Sequence, residues 1–395
     1  MKSFLKILLA LLLSSLLIAE NSCKSKHYFE VARSFYYWKT SYDFSDKDKA
    51  YADSLHIQKM YIKCFDIDWS ENAAKAVPVG VLNTTSYMHL PFEKVIPCIY
   101  ILNIVMEKSS EFELFELAQK IGEKLSQTFS DFANSYTYTK TTGWDDPVYA
   151  EGNKYTQHER DIILNRIDST KDAMKKDWLW QANEIQFDCD WTEKSKENYF
   201  YFLKKIKELF PDKTISCTLR LWQYNNRKIA GTPPVDRCML MCYSVGNPRR
   251  YDGKNSIANA EDMKAYLVKS KYSLPLDIAL PVFSWGVLFR NGHFKGILHD
   301  ADLATIQKDT ANFEHLTGNF YRYLTDTVIE NTYVRYGDEI KIERIDSTEL
   351  SSITSLISSS IDLSGKTGIA FFSWDTTYIK QYGINNLKKY YNSFQ

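Results

Sequence analysis

Two short blocks of the sequence place pairs of aspartates at alternate positions among apolar residues. Residues 187–191 read Phe-Asp-Cys-Asp-Trp, and residues 65–69 read Phe-Asp-Ile-Asp-Trp. The side chains of such a pair point to the same face of a strand, with Cα atoms roughly 6–7 Å apart. Two carboxylates in different surroundings divide into a proton donor and a base or nucleophile, which is the chemistry of glycoside hydrolysis. The candidate catalytic residues are therefore Asp66, Asp68, Asp188 and Asp190.

The stretch 184–193 has a polar face that needs partners. Polar and apolar residues alternate in it with a period of two, which predicts a strand. Because the neighbouring segments are apolar, the polar face is expected to point into the lumen of a barrel, where polar groups must be compensated. Lys63, in the middle of a strand, and Arg220 are the cations available. The alternative is a charge-balanced barrel core without a catalytic role.

Eight strands, most of them separated by helices, predict an α/β fold. The strands are expected at 34–40, 60–69, 95–103, 184–193, 214–222, 237–244, 276–285 and 367–374. Helical spacing is present at 47–56, 112–125, 162–174, 198–209, 260–270 and 385–391. Over residues 33–395 this rhythm predicts a (β/α)8 TIM-type barrel. A nine-strand open α/β sheet is the alternative.

The rhythm breaks at two places. The apolar run 77–82 contains Pro78 and is interpreted as an edge or loop strand outside the barrel ring. Residues 286–366 form an insertion between the seventh and eighth strands. Within it the patterns predict a helix near 310–325, a hairpin of 327–336 with 339–345, and a helix at 351–360.

The carboxyl ends of the strands carry the remaining candidate residues. In (β/α)8 barrels the functional groups lie at these ends. The chain is rich in aromatic residues, with 27 Tyr and 9 Trp, and tryptophans at the strand ends offer stacking surfaces for sugar rings. Packing at the rim is the alternative for each of them. The candidate substrate-binding residues are Lys63, Arg220, Trp38, Trp222, Tyr243, Trp285 and Asp375.

The two Asp-Trp blocks, together with an exported N-terminus, support a family resemblance. The chain resembles the largely uncharacterised exported glycosidase-like (β/α)8-barrel lipoproteins of Gram-negative bacteria, over roughly residues 33–300. The resemblance is clearest at 184–223 and 276–290. It implies a carbohydrate partner and an active site at the carboxyl rim of the barrel.

The block at 184–193 is also similar to the signature D-x-x-D-x-D-x-E of chitinase-like barrels. Asp188 and Asp190 match its last two aspartates. The first aspartate falls on Ile185 and the catalytic glutamate falls on Thr192, while Glu193 comes one residue late and turns to the other face. The sequence therefore leaves two hypotheses open, a glycoside hydrolase with an unusual aspartate pair and a non-catalytic glycan-binding barrel.

Charge and motifs exclude several functional classes. Lys plus Arg and Asp plus Glu are 49 each, so no net charge attracts nucleic acid. Nucleotide-binding, serine-hydrolase and zinc-protease motifs are absent from the sequence. Cys238 and Cys242 are spaced as C-x-x-x-C on a strand, which is a poor zinc spacing. We therefore predict no metal site, no cofactor and no nucleic-acid partner.

The N-terminus has the pattern of an export signal. Lys2 and Lys6 precede a short apolar run, and Cys23 follows four residues after Ala19. This arrangement resembles a bacterial lipoprotein signal, with residues 1–22 removed and Cys23 lipidated. It predicts an exported, cell-envelope protein held to the outer membrane by an N-terminal lipid anchor and facing the periplasm, with the cell surface as the alternative. Ordinary cleavage that leaves Cys23 unmodified is the other interpretation.

Overall fold

The computed structural model describes residues 31–83, 94–142, 182–267, 271–299, 303–329, 332–363 and 365–394, together with residues 156–158, 161 and 165. The predicted signal segment 1–22, Cys23 and most of the helix predicted at 162–174 lie outside these residues.

The eight predicted barrel strands occur in the predicted order, and the inserted chain adds further strands. They are β1 (Val31–Tyr37), β2 (Lys59–Ser70), β3 (Lys75–Val79), β4 (Lys94–Ile101), β5 (Glu184–Asp188), β6 (Thr214–Arg220), β7 (Arg237–Met241), β8 (Leu276–Pro281), β9 (Ser284–Arg290), β10 (His293–Leu298), β11 (Phe313–Thr317), β12 (Phe320–Tyr323), β13 (Thr327–Ile329), β14 (Thr332–Val334), β15 (Glu339–Arg344) and β16 (Thr367–Phe372).

Eight parallel strands form a closed ring. Their order is β1, β16, β8, β7, β6, β5, β4 and β2, and β1 also pairs with β2. The closing pair runs from Ser34 opposite Lys59 to Tyr37 opposite Ile62. The (β/α)8 barrel is therefore confirmed, and the open nine-strand sheet is wrong. In the same sheet β3 pairs antiparallel with β2 outside the ring, as the proline in this run predicts.

Helices pack around the ring, and one, α8, contacts β11 of the insertion instead. They are α1 (Asp46–Leu55), α2 (Asn103–Lys108), α3 (Glu111–Thr142), α4 (Lys196–Leu209), α5 (Leu221–Asn225), α6 (Arg227–Ala230), α7 (Ala260–Lys264), α8 (Leu303–Lys308), α9 (Ser347–Ser360), α10 (Thr376–Tyr382) and α11 (Ile384–Asn392). Ser45 caps α1 through a capping box with Asp48. Within the described ranges none of the helices is long and apolar enough to cross a membrane.

The barrel strands bury side chains on both faces. Outward side chains such as Phe35, Ile62 and Phe187 join the main core with the helices. Inward side chains form a second cluster in the lumen that includes Tyr36 and Tyr61. The six cysteines in the described part of the chain are free and buried, as small hydrophobic residues are.

The chain between β8 and β16 forms a separate antiparallel sheet. Its order is β10, β9, β15, β12 and β11, and β13 pairs with β14 beside it. The predicted hairpin of 327–336 with 339–345 is wrong, because β15 pairs with β9 and β12 instead of β14. Alternation identifies a strand but not its partner. The helix predicted near 310–325 is also wrong, since this segment holds the hairpin β11–β12, which turns at Gly318 with a positive φ of 57°.

Candidate active site

The polar face of β5 points into the barrel lumen, as its alternation predicts. Gln186 accepts a hydrogen bond from the Tyr36 hydroxyl at 2.6 Å and donates one to the Ser216 hydroxyl at 3.4 Å. One step towards the carboxyl end of the barrel, the Thr218 hydroxyl donates to Asp188 at 2.6 Å. These bonds satisfy polar groups that would be costly to bury without partners.

A cavity of about 160 Å³ opens at the carboxyl end of the lumen. Its walls are formed by Trp38, Tyr100, Asp188, Asp190, Arg220, Met241, Tyr243, Ser244 and Phe372. Five of the residues predicted from the sequence are thus brought together here, namely Asp188, Asp190, Arg220, Trp38 and Tyr243.

Asp188 is the most strongly perturbed carboxyl group of this cavity. The residue is only 9% exposed. Burial and, to a smaller extent, the neighbouring Asp190 raise its pKa, whereas the Thr218 hydrogen bond and Arg220 lower it, and the net pKa is about 7. Near neutral pH this carboxyl group therefore exchanges between its protonated and ionised forms, as a proton donor must.

Asp190 lies in a different environment two residues further along. Its carboxylate is 3.3 Å from the Arg220 guanidinium, and the side chains of both residues are more than two-fifths exposed. The two aspartates of this block thus differ as the members of an acid–base pair differ, one buried and one ion-paired in contact with solvent.

Aromatic rings form one side of the cavity. The Phe372 ring lies 5.4 Å from Trp38 and 5.5 Å from Tyr243, and the Tyr243 pair is stacked. Trp38 in turn lies 6.4 Å from Tyr100. These rings offer an apolar wall with polar edges, the surface on which a sugar ring stacks.

Tyr100 is a site residue that sequence reasoning missed. In the strand register it lies directly between Asp66 of β2 and Asp188 of β5. Burial and the nearby Asp188 carboxyl group raise the pKa of the Tyr100 hydroxyl, which therefore stays protonated and able to donate a hydrogen bond. Nothing in the sequence of β4 indicated this, because the strand is apolar on both faces. Phe372 and Met241, at the ends of two other apolar strands, were missed for the same reason, and Ser244 was missed because it lies in the loop after β7.

Lys63 and Asp66 form an ion pair next to this cavity. The Lys63 ammonium is 3.0 Å from Asp66, and it also lies 5.7 Å above the Trp38 ring. An irregularity in the β2–β4 register between Lys63 and Phe65 lets Asp66 share the lumen face with Lys63, although the two are three residues apart. Asp68 accepts a hydrogen bond from the backbone of Trp69 at 2.7 Å.

Four of the predicted binding residues do not line the cavity, namely Lys63, Trp222, Trp285 and Asp375, and neither do the predicted catalytic residues Asp66 and Asp68. Trp222 is 41% exposed in the first turn of α5. Trp285 donates to Glu343 of the inserted sheet at 2.8 Å. Asp375 caps α10 by accepting from the Thr377 backbone, and although burial opposes it, this bond and the ion pair with Lys39 lower the Asp375 pKa.

Two further rim tryptophans have structural partners. The Trp191 indole donates to the Ala230 carbonyl at 3.0 Å, and the Trp374 indole donates to Asp48 at 2.8 Å. Both are almost fully buried, so the packing alternative holds for them.

The residues after β5 leave the lumen. The Thr192 backbone donates to the Ser195 hydroxyl at 2.9 Å, and both Thr192 and Glu193 are exposed at the surface. Neither residue is part of the cavity wall, so no glutamate takes the position that the chitinase signature gives to its acid. Within the described ranges, no three His, Cys, Asp or Glu side chains are grouped to hold a metal ion.

No family model and no curated protein matches this sequence. Solved structures are similar in fold. The spore cortex-lytic enzyme SleL of Bacillus cereus is 13% identical with a TM-score of 0.42, covering 93% of this chain and 75% of that one. Chitinase ChiA74 of Bacillus thuringiensis is 10% identical with a TM-score of 0.39, covering 87% of this chain and 66% of that one.

A third similar structure is that of an inhibitor protein. The xylanase and alpha-amylase inhibitor protein XAIP-II of Scadoxus multiflorus is 10% identical with a TM-score of 0.39, covering 92% of this chain and 98% of that one. At TM-scores this low the likeness carries no argument about activity, so the functional proposal rests on the geometry of the site.

Proposed function

We propose that this protein is a carbohydrate-active barrel whose cavity binds a sugar ring and hydrolyses its glycosidic bond, with Asp188 as the proton donor. The observation that carries the proposal is a buried aspartate beside an ion-paired one, in a small cavity walled by aromatic rings.

The reaction divides between the two aspartates. The protonated Asp188 carboxyl group gives its proton to the glycosidic oxygen as the bond from that oxygen to the anomeric carbon breaks. Water then bonds to the anomeric carbon through its oxygen and gives one proton to the Asp188 carboxylate, which forms the hydroxyl group of the new reducing end and restores the protonated Asp188. Asp190, held at the rim by Arg220, places negative charge near the sugar, where positive charge develops in the transition state.

The cavity favours a small part of a glycan over a long segment. Its volume of about 160 Å³ is well below the roughly 300–1,000 Å³ that drug-sized ligands occupy. The Trp38, Tyr243 and Phe372 rings are grouped along its wall and can stack on one sugar face, while Arg220 and the carboxylates are available for the hydroxyl groups.

The test is a panel of purified glycans incubated with the full-length protein. Release of reducing ends from at least one glycan is expected, and Asp188→Asn should abolish that release because the amide has no acidic proton to give. Glu193→Gln is the matched control, since this exposed carboxylate lies outside the cavity and its loss should leave the rate unchanged. A complete panel without turnover would contradict hydrolysis.

A second candidate function is glycan binding without cleavage. It is favoured by Thr192, which stands exposed where chitinase-like barrels carry the catalytic glutamate. In that case, glycans are retained on an affinity gel without release of reducing ends, and Asp188→Asn does not weaken retention. The same panel therefore separates the two functions.

We also propose that the chain is exported and anchored by a lipid at Cys23, on the strength of the basic residues and the apolar run that precede this cysteine. Metabolic labelling with a fatty acid should mark the protein expressed from the complete sequence and not its Cys23→Ser variant. The labelled protein should sediment with outer membranes, and protease treatment of intact cells would distinguish a periplasmic from a surface orientation. Equal labelling of both chains would contradict lipidation.

A further inference from the structure

The loop between β7 and α7, residues 242–259, supplies part of the cavity wall. Tyr243 and Ser244 stand at its start and line the cavity beside Phe372. Ser244 has a positive φ of 56°, a conformation that a serine rarely adopts. Something outside this short stretch must therefore hold the loop in place.

The two limbs of this loop are bonded to each other. The backbone N–H of Ser244 donates to the carbonyl oxygen of Ile257, and the backbone N–H of Gly246 donates to the carbonyl oxygen of Ser256 at 3.1 Å. The limbs approach so closely that a Cβ atom on Gly246 would lie 2.8 Å from the Cα atom of Ser256. The position of the wall residues thus depends on the position of Ser256.

Ser256 is in turn held by Glu343 of the inserted sheet. One carboxylate oxygen of Glu343 accepts from the Ser256 backbone at 3.1 Å, from the Ser256 hydroxyl, and from the Trp285 indole at 2.8 Å. The other oxygen is 2.7 Å from the Lys341 ammonium, which also donates to the Lys254 carbonyl at 3.2 Å. Lys341 and Glu343 are both completely buried.

Trp285, which donates to the same Glu343 oxygen, connects Glu343 to the cavity wall by a second route. Its ring packs 5.2 Å from Phe283, and Phe283 packs 5.6 Å from Phe372 and 5.9 Å from Tyr243. One carboxylate of the insertion is therefore connected to the cavity wall through a backbone route and through an aromatic route.

Stability does not by itself account for this buried ion pair. Removing two charges from water costs about as much as their attraction returns, and apolar pairs of similar volume are often as stable. The distinctive property of the Glu343 carboxylate is geometric, since a single oxygen fixes three donors on two separate segments.

We infer that Glu343 is a positioning residue for the cavity, by which the insertion holds residues 242–259 and Trp285 in place as its wall. The inference rests on the proposed function for its consequence in catalysis, but its structural content can be tested without any glycan.

A matched pair of double variants tests the role of the Glu343 oxygen as a hydrogen-bond acceptor. Lys341→Met with Glu343→Gln removes both charges and keeps a carbonyl oxygen for Ser256 and Trp285. Lys341→Met with Glu343→Leu removes that oxygen at nearly the same volume. The two proteins share every other loss, so a difference between them reports on the hydrogen bonds of residue 343 alone.

Two measurements report on whether the cavity wall stays in place. Hydrogen exchange of residues 242–259 should be at least about tenfold faster in the leucine variant than in the glutamine variant, with exchange of the barrel strands unchanged. The Asp188 carboxyl group, observed by carbon-13 NMR and assigned with Asp188→Asn, should titrate roughly one pH unit lower in the leucine variant, because a loosened wall admits water. Asp190, Arg220 and Asp66, which also act on Asp188, are identical in both proteins.

A second variant keeps the test decisive if the leucine protein does not fold. Gly246→Ala leaves Glu343 intact but forces the two limbs apart, and it should produce the same changes in exchange and in the Asp188 titration. Gly253→Ala in the same loop is its control, since nothing lies near its Cβ position. Equal exchange and equal titration in each matched pair would overturn the positioning role.

The outcomes separate this inference from the proposed function. If no glycan is turned over or retained while the exchange and titration differences appear, Glu343 still positions the cavity and the carbohydrate proposal fails. If a glycan is turned over, the leucine variant should lose roughly tenfold to a hundredfold in kcat/KM relative to the glutamine variant. Turnover with identical kcat/KM, exchange and titration would overturn the inference alone.

Discussion

At the scale of single residues, the decisive feature is the contrast between two aspartates that the sequence cannot tell apart. Asp188 is buried in the lumen beside Thr218, whereas Asp190 reaches the rim and Arg220. Burial makes the ionised form of Asp188 costly, so this residue holds a proton up to about neutral pH.

Replacing Thr218 with valine should shift the pH dependence of hydrolysis. The Thr218 hydroxyl donates to Asp188 and favours its charged form, so its loss raises the pKa of Asp188. Because a proton donor works only while protonated, activity should persist to a pH about one unit higher, as judged by kcat/KM against pH. Ser216→Ala is the control, since this hydroxyl bonds to Gln186 on the same strand face. If kcat/KM of the variant fell at the same alkaline pH as that of the unchanged protein, Asp188 would be excluded as the proton donor.

Replacing Asp188 with asparagine should stabilise the fold at alkaline pH. The folded-state pKa lies above the ordinary value of 3.8. The stability contribution of this residue is therefore complete below about pH 4 and is lost as the pH rises through about 7. Asparagine keeps the Thr218 bond and cannot ionise. The unfolding free energy of the variant, relative to that of the unchanged protein, should rise by on the order of 3 kcal/mol between about pH 4 and pH 8.5 in urea titrations. A difference that is constant with pH would contradict this.

At the scale of elements, β2 shows how a strand irregularity sets the composition of the site. Register slips between Lys63 and Phe65, so Cys64 and Phe65 both face the outer core and Asp66 returns to the lumen. The neighbouring β3 ends at Val79, and Gly80, the next residue, has a positive φ of 53° and leaves room for the Asp66 carboxylate.

Replacing Gly80 with alanine should therefore lower the free energy of unfolding by more than the strain of the positive φ alone would. A Cβ atom there would lie 2.6 Å from a carboxylate oxygen of Asp66, whereas Gly292, which also has a positive φ, has open space around it. Thermal or urea unfolding should show a loss of about 1 kcal/mol for Gly292→Ala and about 2–4 kcal/mol for Gly80→Ala. Equal losses would mean that the Asp66 side chain moves aside freely.

At the scale of the whole molecule, closure of the ring makes the barrel one cooperative unit. Each barrel strand is paired on both sides, and the pairing of β1 with β2 closes the ring. Buried cysteines lie on or just after several different barrel strands, at Cys64, Cys98, Cys189, Cys217, Cys238 and Cys242.

These thiols should report on opening of the whole ring. Burial raises the pKa of the Cys64 thiol to about 12 and raises the pKa of the Cys98 thiol as well, so neither forms the reactive thiolate while the barrel is folded. In a Cys23→Ser protein, a thiol reagent at about pH 8 should modify all six together, at the rate of global unfolding. Selective rapid labelling of one cysteine would show that its strand opens independently.

Much of the fold followed from local pattern. The succession of strand and helix patterns identified the eight barrel strands, and the period of two in β5 placed Gln186 and Asp188 inward, because side chains alternate along a strand. The cap of α1 at Ser45 is local in the same way, because it involves residues only three apart. The proline in the run 77–82 was sufficient to keep that strand out of the ring.

The partners of these elements were decided only by tertiary structure. β4 and β7 are apolar on both faces, so neither alternation nor composition showed that Tyr100 reaches Asp188. Trp191 and Trp374 were equivalent to Trp38 in sequence, but only Trp38 lines the cavity, since the indole groups of the other two bond to Ala230 and Asp48. A strand pattern states which side chains share a face, whereas closing the ring determines which faces meet.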